Sequence, residues 1–190
     1  MSPAFIKGVE ENFAEAHITF DKFHVMKRLN EVVDQVRRME QQENELLKNT
    51  RYLWLRNPKN LTRNQKVKLG SLSRMNLKTV WAYNIKMSLK EFWEIPDLET
   101  AVQYLKKWYF WATHSRLEPI KEAAYFIKRH WYGIIQYIIT RINNGILEGI
   151  NSLIQATKRK ARGYRNTDNL ISIIYLTCGN LRMGLSRAFI

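Results

Sequence analysis

A chain of 190 residues with 45% hydrophobic and 12% aromatic content can bury one core, and that composition excludes an intrinsically disordered protein. Its charge is lopsided, 31 Lys and Arg against 17 Asp and Glu for a formal +14, an excess that repels itself in the compact state and attracts polyanions, nucleic acid first among them. Cys178 is the only cysteine, which excludes an internal disulfide and fits a reducing cytoplasm. No secretory signal is visible around Glu10 and Glu11, and the strongest apolar run, Trp131 to Ile139, is too short to span a bilayer.

In chain order, Ser2 as N-cap and Pro3 at the first helical position open a helix to about Phe13, with Phe5, Ile6, Val9 and Phe13 on one face. His17-Ile18-Thr19-Phe20 alternates polar and apolar in β-favouring residues and predicts a short strand, which needs partners from elsewhere. From Phe23 to about Lys48 the pattern is helical, Val25, Leu29, Val32, Val36 and Met39 repeating at four and three. This seam suits packing on a neighbouring helix or a coiled coil, and it fades after Met39. Asn57-Pro58-Lys59-Asn60 breaks the pattern and Thr62 caps the next helix. Helices are predicted at about 62–73, 75–94, 97–114 and 117–130, with Asp97 as a cap and Pro96 and Pro119 at helix starts. Trp54, Trp81, Trp93, Trp108, Trp111 and Trp131 fall in or beside this region; their helical spacing favours the core over stacking on nucleobases.

Two stretches carry chemistry. Asn143 or Asn144 caps a helix whose apolar face is Ile146, Ile150, Leu153 and Ile154, with Glu148, Asn151, Ser152, Gln155 and Arg159 on the opposite face. Glu148 falls in the first turns, where the helix dipole favours a carboxylate, and Gly145 and Gly149 beside it leave room for a metal, a phosphate or another backbone. Taken alone, it reads better as a solvent-exposed helical glutamate with small neighbours. No acidic residue separates Gly149 from Asp168, while Lys158, Arg159, Lys160, Arg162 and Arg165 cluster around Tyr164. That block suits contact with a phosphate backbone, with Gly163 ending the helix in a left-handed turn. The second stretch is Phe20-Asp21-Lys22-Phe23-His24-Val25. Asp21 is accounted for as an N-cap, and His24 packs beneath the strand end, hydrogen-bonds Asp21 or ligates a metal, although His17, His114 and His130 show no ligand spacing to support the last.

Together these stretches resemble the insertion-sequence transposases of the ISL-three type. Asp-x-Phe-His before a helix is similar to that family's second signature. Asn-Gly-x-x-Glu-Gly-x-Asn followed by Lys-Arg-x-Ala-x-Gly-Tyr-Arg-Asn is similar to its C-terminal one. The resemblance implies an RNase H-like catalytic domain with an Asp-Asp-Glu triad that binds divalent metal, Mg²⁺, and acts on DNA, both transposon ends and target. It makes Glu148 the triad glutamate and metal ligand, and Asp21 and His24 an accessory motif. The second aspartate is expected just upstream of the stretch Met1-Ser2-Pro3-Ala4-Phe5, and the first farther upstream.

The expectation is therefore a mostly α chain, an incomplete RNase H-like α/β core with one short strand and a large all-helical insertion. Residues 1–24 form a remnant of the catalytic domain, 25–130 the insertion, and 131–190 the C-terminal helices with Glu148 and the basic segment. Two-metal phosphodiester chemistry needs several carboxylates, so this C-terminal fragment is expected to bind DNA through Lys158, Arg159, Lys160, Arg162, Tyr164 and Arg165 and to be inactive alone. The rival readings are a dimerisation module, pairing the Val25–Met39 seam with itself or with a full-length transposase, and a helical DNA- or RNA-binding protein.

Overall fold

The apolar repeat at 25–39 predicts one buried stripe, and that stripe is the centre of the core in the computed structural model, which describes residues 3–13, 15–142 and 145–179. The helices are α1 (Pro3–Asn12), α2 (Lys22–Gln41), α3 (Arg51–Leu55), α4 (Arg63–Leu72), α5 (Lys78–Phe92), α6 (Leu98–Thr113), α7 (Glu118–Arg129), α8 (Trp131–Thr140), α9 (Gly145–Lys160) and α10 (Thr167–Cys178). Short 3-10 turns occupy Glu45–Leu47 and Pro58–Asn60. The chain divides into two compact units, Met1–Ile142 and Asn143–Ile190. No helix of the described residues is long and apolar enough to cross a membrane. Ser2, Asn143 and Asn144, expected as caps, lie outside the described residues, as do the side chains of Phe5 and Ile146.

In the first unit α2 packs on α3, α5 and α7, and α6 packs on α5, α7 and α8. Val25, Leu29, Val32 and Val36 are all buried, whereas Met39 is 57% exposed. The seam is thus consumed within the chain and ends at Val36. Burying each such side chain contributes roughly 1.5–3 kcal/mol. The helix itself stops at Gln41, short of the expected Lys48, because 40–45 offers no apolar residue to continue the buried stripe. Trp54 and Trp108 are fully buried with their indole N–H groups satisfied, Trp54 Nε1 donating to Thr50 Oγ1 at 3.0 Å and Trp108 Nε1 to the Ile85 carbonyl at 2.8 Å. Trp93 is buried and Trp131 packs against the core, but Trp81 and Trp111 stay 45% exposed, so the core reading holds for four of the six.

The predicted strand at 17–20 is not formed, and no strand occurs among the described residues. The segment is irregular and lies along α8 instead of a sheet. The Phe20 N–H donates to the Gly133 carbonyl at 3.0 Å, and the Tyr132 hydroxyl meets His17 Nδ1 at 2.9 Å. Gly133 makes the approach possible, since a Cβ there would stand 2.5 Å from the Phe20 ring. With no neighbouring strand to pair with, the backbone takes its hydrogen bond from a helix carbonyl.

Two carboxylates of α2 fix the segment beyond it. Asp34, nearly buried, receives Arg37 at 2.8 Å and Arg51, the first residue of α3, at 3.4 Å. Glu40 accepts from the backbone N–H groups of Lys78 and Thr79, both at 2.8 Å, and from the Thr79 hydroxyl at 2.7 Å. The helix start it serves has Leu77 at the N-cap position, which offers no side-chain acceptor, so α5 is capped from another helix. On α5, Lys86 is 3% exposed. Its ammonium donates to the Trp54 carbonyl and lies 4.8 Å from the centre of the Tyr83 ring, with no carboxylate in ion-pair range.

The second unit is a helix pair, α9 packing on α10. Arg162 (φ 55°) and Gly163 (φ 97°) turn the backbone left-handed after Lys160, and the Gly163 N–H returns to the Lys158 carbonyl at 2.9 Å. Only glycine adopts the second of these angles without side-chain strain. Asn166 then caps α10, accepting from the Asp168 N–H at 2.7 Å.

Replacing Glu40 with Ala removes an anionic cap shared by two N–H groups and a hydroxyl; unfolding by denaturant is expected to show a loss of ~1–3 kcal/mol, against a negligible change for Met39→Ala beside it. Burial, helped by Lys90, lowers Lys86 to about 8, below its unfolded value. The folded state therefore binds fewer protons than the unfolded state between about pH 8 and 10, and stability rises with pH across that window. The stability of the wild type relative to Lys86→Met is expected to climb by on the order of 2 kcal/mol from pH 8 to pH 10, measured by denaturant titration, and to stay flat below pH 7.

Candidate nucleic-acid interface

Glu148 stands in the first turn of α9 with its side chain exposed, on a polar face shared with Asn151, Ser152, Gln155 and Arg159, all exposed. Ile150 and Ile154, a half-turn away, are partly buried. A Cβ added at Gly149 would meet nothing within 4 Å. Among the described residues, packing around Gly149 gives no reason for glycine there.

At the other end of α9 the last turn holds Lys158, Arg159 and Lys160, and the left-handed turn continues with Arg162, Tyr164 and Arg165. Among the described residues none of these cations forms an ion pair; the one side-chain bond is Arg159 Nε to the Gln155 carbonyl at 3.3 Å. Lys158, Arg159, Lys160, Arg162 and Arg165 are exposed, while Tyr164 is partly buried in the turn. Cations in a last helical turn are favoured by the carbonyl end of the dipole, and a row of them with no carboxylate in reach is electrostatically unbalanced until an anion arrives.

Asp21 acts as the N-cap of α2, its Oδ1 accepting from the Phe23 N–H at 2.7 Å. His24 lies in the first turn with its ring edge-on to Phe23 at 5.9 Å, bordering an open pocket with Lys27, Arg28, Glu31 and Phe126. The other histidines are engaged: His17 with the Tyr132 hydroxyl, His114 Nδ1 with the Phe110 carbonyl and His130 Nδ1 with the Phe126 carbonyl. His24 is exposed, and no described residue offers its ring nitrogens a polar partner.

Asp21 and His24 belong to the first unit and Glu148 to the second. Among the described residues, no group of three or more His, Cys, Asp or Glu side chains comes close enough together to hold a metal ion. Two carboxylates and one imidazole are in any case too few ligands for a two-metal centre.

The sequence pattern draws attention to the block at 158–165 and away from a longer one. Between Glu45 and Glu91 there is no acidic residue, and this interval, most of α3 to α5, carries eleven Lys and Arg. The signal is a plain charge count, but it is spread over 45 positions and broken by helices whose apolar pattern is the stronger feature.

Residues 1–174 match the sequence profile of a family described as transposase, that of the ISL3-type elements. The chain is 31% identical over 176 residues to the transposase for insertion sequence element IS1001 of Bordetella parapertussis, an alignment covering 88% of this chain and 43% of that protein. To the transposase for insertion sequence element IS1557 of Mycobacterium tuberculosis, from two strains, it is 32% identical over 136 residues, 72% of this chain and 30% of that protein. The chain thus spans less than half the length of these curated relatives. No solved structure matches it. With both signatures in order and the profile matched along nearly its whole length, the chain belongs to the ISL3-type insertion-sequence transposases.

Proposed function

We propose that this chain serves DNA transposition as a DNA-gripping part of a catalytic assembly, giving Glu148 to a divalent-metal site and phosphate contacts from Lys158, Arg159, Lys160, Arg162, Tyr164 and Arg165. Family membership supports transposition as the process, DNA as the partner and a divalent ion as the cofactor. Mg²⁺ is the ion that suits a site of few carboxylates completed by water and phosphate oxygens.

The observation that carries this reading is the layout of α9: one helix with a carboxylate in its first turn and unpaired cations in its last. At 1.5 Å per residue, positions 148 and 158 stand ~15 Å apart along the axis, roughly four or five nucleotide steps of one B-form strand. A strand whose reacting phosphate lies at Glu148 passes the cations at that distance, so the helix acts as a ruler between chemistry and grip.

The other metal ligands come from polypeptide outside these residues, a reading supported by the 43% coverage of the Bordetella relative. On the same reading residues 1–24 and 131–190 are parts of an RNase H-like domain, with Asp21 and His24 as its accessory motif and 25–130 an all-helical insertion. The second unit supports it: no described residue of α10 is fully buried, and Ile171, Tyr175 and Leu176 are exposed. A helix pair without a core of its own needs further structure against it. Pairing through the Val25–Met39 seam is disfavoured, because its first four positions are already covered by α5 and α7.

Anisotropy titrations with duplex DNA between 50 and 200 mM salt are expected to show affinity falling steeply with salt, and the triple variant Lys158→Glu, Arg159→Glu, Arg162→Glu to bind at least tenfold more weakly whatever the sequence. Salt-insensitive binding would end the electrostatic account, and a preference for RNA would replace DNA as the partner. Incubated alone with Mg²⁺ or Mn²⁺, the chain is expected to leave supercoiled plasmid uncut. Nicking that disappears in Glu148→Gln would show instead that these residues build a complete centre.

A further inference from the structure

The acid-free interval 46–90 forms an open pocket with α2. Residues from α2, from the end of α3 and the turn after it, and from α5 border a space of about 370 Å³. Its walls are mostly apolar, with Phe23, Met26, Leu55, Pro58 and Met87, and its polar groups are Arg56, Lys86 and Lys90 beside Asn30 and Asn57. No carboxylate lines it.

The cationic groups differ in how they are held. Lys86 is buried, and among the described residues its one hydrogen-bond partner is the Trp54 carbonyl at the end of α3. A carbonyl satisfies one N–H of an ammonium but leaves its charge uncompensated, and a buried cation of this kind ordinarily sits beside a carboxylate. Lys90, half-buried one turn later, donates to Asn57 Oδ1 at 3.3 Å. Arg56 is exposed at the rim with its guanidinium over the Tyr52 ring at 5.0 Å. Asn30, on the α2 wall, has a buried Oδ1 with no hydrogen-bond partner, and a half-turn of its amide presents N–H donors at the same place. Such a set of donors suits an anion with several oxygens, and Asp34, the nearly buried acid of α2, is engaged by arginines.

The rest of the interval says which anion. Lys48, Arg51, Arg56, Lys59, Arg63, Lys66, Lys68, Arg74 and Lys78 are all exposed, and of these only Arg51 has a carboxylate partner among the described residues. Of the nine only Arg56 borders the pocket, and Lys78 lies at the other end of α5; a small free anion makes no use of cations so dispersed, whereas a polyanion reaches several of them. We propose that the cavity between α2, α3 and α5 is an anchor for one phosphate of the DNA backbone, held by Lys86, Lys90 and Arg56, and that the cations of 46–90 carry the neighbouring phosphates. This assigns the helical body of the first unit a DNA-binding surface separate from the block on α9, and it rests on the reading that the protein binds DNA.

The test uses the whole chain and a duplex of roughly 30 base pairs, long enough to span several helical turns, titrated by anisotropy over the same salt range. The double variant Arg56→Glu, Lys90→Glu is expected to weaken binding at least tenfold and to flatten the slope of log K against log salt by roughly 2, one per lost contact. Lys106→Glu, Lys107→Glu, with the same charge change on exposed positions of α6, is expected to cost less than threefold. Lys86→Met removes the buried charge without adding an acid; it is expected to lose severalfold in affinity while its thermal midpoint below pH 8 does not fall. Equal losses in the two double variants would mean that net charge alone attracts the DNA, and would overturn the anchor. So would unchanged affinity in folded Arg56→Glu, Lys90→Glu, or inorganic phosphate protecting Lys86 and Lys90 from acetylation where DNA does not. Failure of the wild type to bind DNA at all would instead remove the functional reading beneath it.

Discussion

Two carboxylates on one helix hold down a segment that has none of its own. Asp34 and Glu40 of α2 reach the first residue of α3 and the first residues of α5, respectively. Everything between them, including α4, belongs to the interval 46–90, whose eleven cations repel one another and have no acid within the interval to offset them. The apolar stripe of α2 supplies the attraction, with Val25, Leu29, Val32 and Val36 buried, but hydrophobic burial is non-directional. The two carboxylates supply direction. One stands at a helix start where an arginine has to be neutralised, the other at a helix start where backbone N–H groups have no cap. The acids of this chain are few, and these two are spent on architecture, which leaves the cations of 46–90 available to something outside.

How much of the fold is legible in the sequence depends on how local each cause is. Thr62 with Gln65 forms a full capping box, and Asp97 accepts from the Thr100 N–H at 2.8 Å, so α4 and α6 begin within a residue of where the pattern places them. Pro119 likewise marks the start of α7. The helix expected at 75–94 begins instead at Lys78, because its cap is Glu40, 38 residues away, and no local motif announces it. The expected strand fails to form for a related reason. Alternation at 17–20 records one face turned inward and one outward, and a helix surface bearing Gly133 receives that pattern as well as a sheet does. Only the missing pairing partner distinguishes the two, and pairing is a property of the fold.

The site divides along the same line. The placement of Glu148 and of the cations at 158–165 along α9 and its turn is legible because helix periodicity and a left-handed glycine arrange them within about twenty residues, and the turn at Arg162 and Gly163 has the expected hand. A metal centre is different. The ligands of such a centre converge from distant parts of a chain, and one glutamate in a first helical turn carries no information about other ligands. The cavity at Lys86 is invisible in the sequence for the converse reason: its cations all look like ordinary surface lysines and arginines, and only burial separates Lys86 from the others.

That burial bears on how a basic protein can bind DNA with more than a diffuse attraction. Exposed lysines and arginines on long side chains contribute to affinity but fix no register, since each moves with its phosphate wherever the strand lies. The cations around the turn after α9 are of this kind, exposed and unpaired. Lys86 is not. Its stem is enclosed, its ammonium is tied to the carbonyl of Trp54, and it cannot move with a strand that slides. The cost of holding that charge away from water is borne by the fold whether or not an anion is present, which is why its pKa is lowered to about 8. A phosphate in the cavity removes the penalty only when seated there and not at neighbouring positions along the backbone. Preorganisation of this sort turns a non-specific grip into a positioned one.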